Sequence, residues 1–312
     1  MSFQKVNALG EAGIPFLFIS DFKAKHIEVI PLDALEKNDI EYCICEEYSY
    51  EEHQHFFKKS PLDFSAYKKK FDAVIEKIKA GETYILNLTQ ATPIESKLSL
   101  QSIYKLANAH YKLRYKDQFV CFSPEKFVQI KENKIHTFPM KGTIDAAVLN
   151  AQEKILANEK EMAEHIMIVD LLRNDLSIVA TNVKVEAFRY MQKIDAGEKE
   201  LWQVSSHISG DLKENWQERL GDLLEALLPA GSISGAPKKS TLDIIESVEG
   251  YERGFFSGVF GIFDGRNFDS GVMIRFIEKF EDTYIYKSGG GITLDSIARA
   301  EYEELHDKIY LP

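Results

Sequence analysis

Apolar positions along the chain alternate between two periods, one near 3.6 residues and one of 2. In SAYKKKFDAVIEKIKAG, Tyr67, Phe71, Val74, Ile75 and Ile78 share one helical face, with Ser65 placed to cap the start and Gly81 to stop the end. ETYILNLTQATPI then alternates as a strand, a second helix fits 99–111, and short strands follow near 118–122, 127–131 and 134–139. Residues 151–175 read as helix, VKVEAFRYMQKI and ELWQVSSHISGDL as strands, and WQERLGDLLEALL and KKSTLDIIESVE as helices. Strands over 256–264, 270–280 and 283–288, joined by short turns such as Asp264-Gly265-Arg266-Asn267, predict an antiparallel meander before a last helix at 296–310. Residues 1–60 are the least regular part: FLFISDFKAKHIEVIPL gives two short strands and CEEYSYEEHQHFFKKSP a polar surface loop. Strands in groups with helices between them predict an α+β protein rather than a βαβ repeat. There is no internal repeat and no low-complexity tract.

Composition narrows the function classes. The 312 residues make one large domain or two tightly joined ones, and 45% hydrophobic content supports a sizeable core. A net charge of −11 disfavours a nucleic-acid surface, although it leaves room for a local cationic pocket. The three cysteines, Cys43, Cys45 and Cys121, are an odd count without metal-knuckle spacing and are expected to be reduced thiols. His53-x-His55 is expected to be a solvated pair. The N-terminal segment lacks a signal-peptide pattern, and no apolar run approaches the roughly 20 residues of a membrane span. The expectation is a soluble cytoplasmic protein with no nucleic-acid or membrane partner.

Candidate chemistry gathers in a few segments. HTFPMKGTID reads as a strand entering a turn, with Lys141 directly before Gly142: either a solvated loop lysine or a buried amine with a chemical task. Glu161 and Glu164, and again Glu301 and Glu304, are three apart on predicted helices, so each pair projects two carboxylates from one face. Either pair alone is usually a solvated face, but two such faces meeting would form an oxygen-rich site suited to Mg²⁺. The first pair runs into HIMIVDLL, apolar on almost all sides, which predicts burial. PAGSISGAPKKS is not a phosphate loop, yet Gly231 and Gly235 bracket hydroxyl residues, and Pro237 at a helix start with Lys238 could face an anion. Gly289, Gly290 and Gly291 are either a tight turn or a close backbone approach to a ligand. Arg275, read as mid-strand among apolar neighbours, either reaches an edge or pairs with a buried anion.

Taken together, SPEKF, PMKGT, KEMAEHIMIVDLLRNDL, GSISGAPK, SGVFGIFDG with IRF, and GGGIT through EYEELHDK resemble the motifs of the chorismate-utilising enzymes, in that family's order and over residues 65–312. The family includes anthranilate, aminodeoxychorismate, isochorismate and salicylate synthases. The resemblance implies two packed antiparallel sheets flanked by helices, with the active site in a deep cleft. It also implies a catalytic domain at 65–312 and a reduced N-terminal part at 1–64 packed on it. Lys before the Gly-Thr pair is similar to the aminodeoxychorismate synthase component I branch, whereas anthranilate and isochorismate synthases typically carry Ala there. Isochorismate and salicylate synthases place a lysine base where this chain has Ile85.

On that resemblance Lys141 is a nucleophile toward C2 of chorismate, and Glu125 is the acid that helps expel the C4 hydroxyl. Glu164 and Glu304 hold Mg²⁺ with Glu161 and Glu301 in support. Arg275 and the 289–291 glycines hold the enolpyruvyl carboxylate, Gly142 and Thr143 contact substrate, and Lys308 supports the metal end. The chemistry requires an uncharged amine, whereas a free lysine is almost wholly protonated at neutral pH.

Several positions depart from the family pattern. Gln203 replaces a histidine, Phe256 replaces an aromatic carrying a polar group, and IDAAV lacks the usual basic residues. The reduced N-terminal part implies no tryptophan feedback. No cysteine sits in a Gly-x-Cys-x-Gly nucleophile turn, so nitrogen is expected from a separate glutamine amidotransferase subunit or from free ammonium. The competing readings are anthranilate or isochorismate/salicylate synthesis, and a non-catalytic chorismate-binding subunit.

Overall fold

A computed structural model describes residues 2–45, 57–195 and 200–311. His53 and His55 lie outside them. Two antiparallel sheets pack face to face with helices on their outer sides, the architecture expected above. The nine-stranded sheet runs in the order Met140–Asp145, Glu200–Asp211, Lys134–Thr137, Lys126–Lys131, Phe268–Val272, Val259–Phe263, Phe16–Ser20 and Ile27–Pro31, with Thr181–Asp195 also paired to Glu200–Asp211. The eight-stranded sheet runs Gly235–Ala236, Ile85–Glu95, Thr283–Ile292, Phe276–Phe280, Phe119–Ser123, Tyr111–Tyr115 and Ile40–Ile44, with Lys58–Lys59 on Ile85–Glu95.

Alternation along the strands builds the core. Leu17 and Ile19 point between the sheets and meet Tyr111, Leu113, Phe119, Phe260 and Phe276. Their neighbours Phe16 and Phe18 point to the other face and join a cluster with the helices Phe64–Lys79, Glu159–Val179, Leu220–Leu227 and Lys238–Glu249. Phe276 is fully buried and stacks on Phe119 with ring centroids 4.8 Å apart. Phe276→Ala is expected to cost about 3–5 kcal/mol, because the inter-sheet space cannot collapse around the void; thermal or urea unfolding measures it.

Several elements differ from the sequence reading. The two strands expected in FLFISDFKAKHIEVIPL are Phe16–Ser20 and Ile27–Pro31, but a helix not expected from the sequence, Ser2–Glu11, precedes them, and a third strand, Ile40–Ile44, enters the other sheet. The predicted 99–111 helix stops at Leu106, because the chain becomes the strand Tyr111–Tyr115. Asp63, rather than Ser65, caps the helix that follows it, accepting from the Ser65 N–H at 2.8 Å, while Gly81 takes the expected left-handed turn at φ 74°. The 151–175 helix is two helices, Ala151–Ala157 and Glu159–Val179, broken at Asn158, whose side chain caps the second through the Glu161 N–H. That second helix buries one stripe and leaves Ile166 and Ile178 exposed, so it is not enclosed all round.

The predicted 270–280 strand is two strands in different sheets, and the chain crosses between layers at 273–275. Arg275 therefore lies in the crossover, with φ 50°, and not in mid-strand. Gly289, Gly290 and Gly291 form no turn; they continue the strand Thr283–Ile292, paired with Thr89, Leu88 and Asn87. Pro237 precedes the helix Lys238–Glu249 rather than opening it, and Lys238 is spent on the Leu227 carbonyl at 3.0 Å and Asp175 at 3.3 Å, which removes it as an anion site. Cys43 and Cys45, two apart at a strand end and hence on one face, bring their sulfurs together; Cys121 is free and buried. Among the described residues, no helix is long and apolar enough to cross a membrane.

Candidate active site

Lys141 stands inside a strand and not in a turn. Met140 pairs with Ser205 and Thr143 with Gln203, so three steps on one strand face two on the other. The extra residue makes a bulge. Gly142 accommodates it with φ 85°, a conformation that costs glycine little and other residues more. The bulge directs the Lys141 side chain, 26% exposed, into a cleft of about 290 Å³. Its Nζ lies 3.5 Å from Glu164 Oε2, and a Cβ added to Gly291 would stand 3.4 Å from it. The glycine strand thus forms one wall close to the amine.

The cleft brings together segments from the whole chain. Glu125, Lys141, Gly142, Thr143, Arg275, Gly289, Gly290, Gly291, Glu304 and Lys308 line it. Glu161, Glu164 and Glu301 stand at its acidic end, where Glu161 Oε2 would be 3.0 Å from a Cβ on Gly142 and Glu301 Oε2 3.5 Å from one on Gly290. Gln203 and Phe256 also face the cavity, as does Ile85, an apolar side chain that supplies no base.

Electrostatics differentiates the carboxylates. Glu125 keeps part of its surface open, but its carboxyl group is enclosed, and burial raises it above the ordinary carboxylate range. Ser232 Oγ donates to Glu125 Oε1, and Lys141, Arg275 and Lys308 oppose the rise. Glu161 is raised by burial and by the like charge of Glu164; Glu301 is raised by burial, against the Ser296 hydroxyl that donates to it at 2.8 Å. For Glu304 the loss of hydration opposes ionisation, yet Lys308, Lys141 and Lys160 hold it below the usual range. Lys308, itself lowered by burial, donates to Glu304 at 2.7 Å and to the Gly289 carbonyl at 2.9 Å. His165, next to Glu164, bonds Ser206 Oγ at 2.7 Å and is pushed by burial down to about 4, so it stays neutral.

Three buried polar atoms on residues that line this cleft, Asn87 Oδ1, Ser257 Oγ and Arg275 Nε, have no hydrogen-bond partner within the described protein. Polar atoms buried in this way are normally satisfied, so their presence on the walls of one cleft suits a polar ligand. The sequence alone does not single out Ser232, Ser257 and Asn87. The only signal was the pair of glycines bracketing hydroxyl residues around Ser232.

The acidic end contains oxygen donors only, which suits a hard divalent cation. Among the described residues no three acidic or ring-nitrogen donors converge around one point. Ammonium groups stand among the carboxylates instead: Lys160 Nζ lies 3.8 Å from Glu164 and 3.9 Å from Glu301, whose side chains are 11% and 10% exposed. Lys160→Met is expected to tighten Mg²⁺ or Mn²⁺ binding by about tenfold, since a competing positive charge leaves the donors; calorimetric titration of the metal into ligand-free protein measures it.

Comparison with known proteins places this geometry. The chain matches the chorismate binding enzyme family over residues 23–311. It is 46% identical to an uncharacterized PabA-like protein of Haemophilus influenzae, covering 99% of this chain and 95% of that one. It is 32% identical to aminodeoxychorismate synthase component 1 of Bacillus subtilis, covering 77% of this chain and 54% of that longer protein. Its fold is similar to the crystal structure of a putative 2,3-dihydroxybenzoate-specific isochorismate synthase, DhbC, from Bacillus anthracis, with TM-score 0.72 at 20% identity, covering 98% and 85% of the two chains. The chain belongs to the chorismate-binding enzyme family.

Proposed function

We propose that this enzyme aminates chorismate at C4 to give 4-amino-4-deoxychorismate. The observation that carries the reading is Lys141, aimed by its bulge into an enclosed cleft, with the protonation-prone Glu125 lining the same cavity. The ion pair of Lys141 with Glu164 opens, and the amine, part-exposed at the cleft, gives its proton to solvent. Nζ then forms a bond to C2, the two ring double bonds shift, and the C4–O bond breaks. Glu125 supplies the proton that lets the 4-hydroxyl leave as water. Ammonia next forms a bond to C4, the double bonds shift back and the C2–N bond to Lys141 breaks. Glu125 takes up the proton released by the new amine, and the leaving lysine nitrogen takes its proton back from solvent. The sum is chorismate plus ammonia to aminodeoxychorismate plus water.

Arg275 and the backbone of Gly290 and Gly291 suit the enolpyruvyl carboxylate, and Thr143 and Gln203 face the same space. Glu164 and Glu304, supported by Glu161 and Glu301, would hold Mg²⁺, which polarises the ring carboxylate when bound. Ile85 supports this reading over isochorismate or salicylate synthesis, since an isoleucine cannot activate water. Ammonia would come from a separate glutamine amidotransferase subunit or from free ammonium.

The test is incubation of the protein with chorismate, Mg²⁺ and ammonium, followed by mass spectrometry and fluorescence. Aminodeoxychorismate is the expected product. Appearance of a fluorescent aromatic product would move the reading to anthranilate or salicylate synthesis. Chorismate bound without turnover would move it to a binding subunit.

A further inference from the structure

Behind the cleft lies a buried ion pair that the proposed chemistry does not use. Arg253 and Glu249 are 2% and 1% exposed. Arg253 Nε donates to Glu249 Oε2 at 2.8 Å and Nη2 to Oε1 at 2.6 Å, a bidentate arrangement. The remaining guanidinium donors reach two main-chain carbonyls, Ile233 at 3.0 Å and Asn87 at 2.6 Å. Glu249 is held in turn by the Thr89 N–H at 2.8 Å and hydroxyl at 2.7 Å. Lys287 donates to the Arg253 carbonyl at 3.0 Å.

Both carbonyls belong to residues that line the cleft. Asn87 pairs with Gly291 in the wall beside Lys141. Ile233 follows Ser232, whose hydroxyl donates to Glu125. One planar cation therefore joins the strand bearing Asn87 to the short helix bearing Ser232. Lysine cannot make this set of bonds, because its ammonium is a point donor.

We infer that Arg253, fixed by Glu249, is a positioning residue: it sets the Ser232 hydroxyl on the Glu125 carboxyl and fixes that acid relative to the glycine wall. The inference rests on the amination reading for its kinetic signature and on the geometry alone for its structural one. Loosening Ser232 removes a donor to the charged form of Glu125, so the acid keeps its proton to higher pH. Lys141, Arg275 and Lys308, the other charged groups acting on Glu125, are untouched by the change.

The experiment compares wild type, Arg253→Lys, Glu249→Gln, Ser232→Ala and the double variant Arg253→Lys/Ser232→Ala, each first checked by thermal unfolding. Arg253→Lys is expected to lower kcat at least about tenfold with KM for chorismate within about threefold, and to move the high-pH limb of the kcat profile upward. The double variant should match Ser232→Ala within about twofold, because the two act through one contact. If Arg253→Lys does not fold, Glu249→Gln carries the same comparison. An unmoved limb, or losses that multiply in the double variant, overturns the inference. Wild type that yields no aminated product refutes the amination reading instead. The inference then stands or falls on hydrogen exchange of the ligand-free protein, expected to quicken in Arg253→Lys around 85–89 and 231–236; unchanged exchange there overturns it.

Discussion

Lys141→Ala should bind chorismate and leave it unaminated, with product formation down by at least about a thousandfold. The reason is the number of roles lost together. The Nζ in the cleft is the group proposed to bond the ring, and Lys308, the other lysine lining the cleft, is engaged by Glu304 and the Gly289 carbonyl. Truncation also leaves Glu164 without its partner at 3.5 Å, so Mg²⁺ binding should be retained or strengthened while chemistry stops. Mass spectrometry of the reaction, together with calorimetric titration of chorismate and metal, separates these effects. Normal turnover by the alanine variant would sink the covalent route.

Glu125→Gln should reduce kcat by about a hundredfold to ten-thousandfold, the usual range for loss of a general acid. Hydroxide is a poor leaving group, and an amide cannot deliver the proton it needs. The sign of the pH dependence follows from the raised carboxyl. The working form is protonated, so wild-type activity is present below the folded-state value and falls as pH rises through it. The same shift affects stability. The unfolded chain ionises Glu125 first, so the folded state loses stability as pH rises from the unfolded value toward the folded one, and stays lower above it. Glu125→Gln removes that loss, so above about pH 5 the variant should melt no lower than wild type while it is nearly inactive. A variant that retained the wild-type high-pH limb would assign the acid role elsewhere.

The sequence disclosed more of the site than of the route the chain takes to it. Lys141, Glu125 and the two glutamate pairs were legible because their motifs occur in the order of a known family, and all of them meet at one cleft. The strand alternation of 85–95 and 200–211 was legible because each buries one side more than the other. What escaped depends on partners distant in sequence. A run of three glycines looks like a turn until Leu88 is found opposite Gly290. The apolar run through Met273 and Phe276 reads as one strand, because both side chains are buried in one inter-sheet cluster although the strands on either side belong to different sheets. The strands Ile40–Ile44 and Tyr111–Tyr115 pair with each other across a long separation, which local periodicity cannot register. Lys238 looked available only because Asp175 and Leu227, its partners, lie on other helices.

The bulge at Gly142 makes the aim of the amine a matter of counting. Removing Gly142 would restore strict alternation between Met140 and Thr143, set Lys141 opposite Val204 and turn the lysine to the reverse side of the sheet.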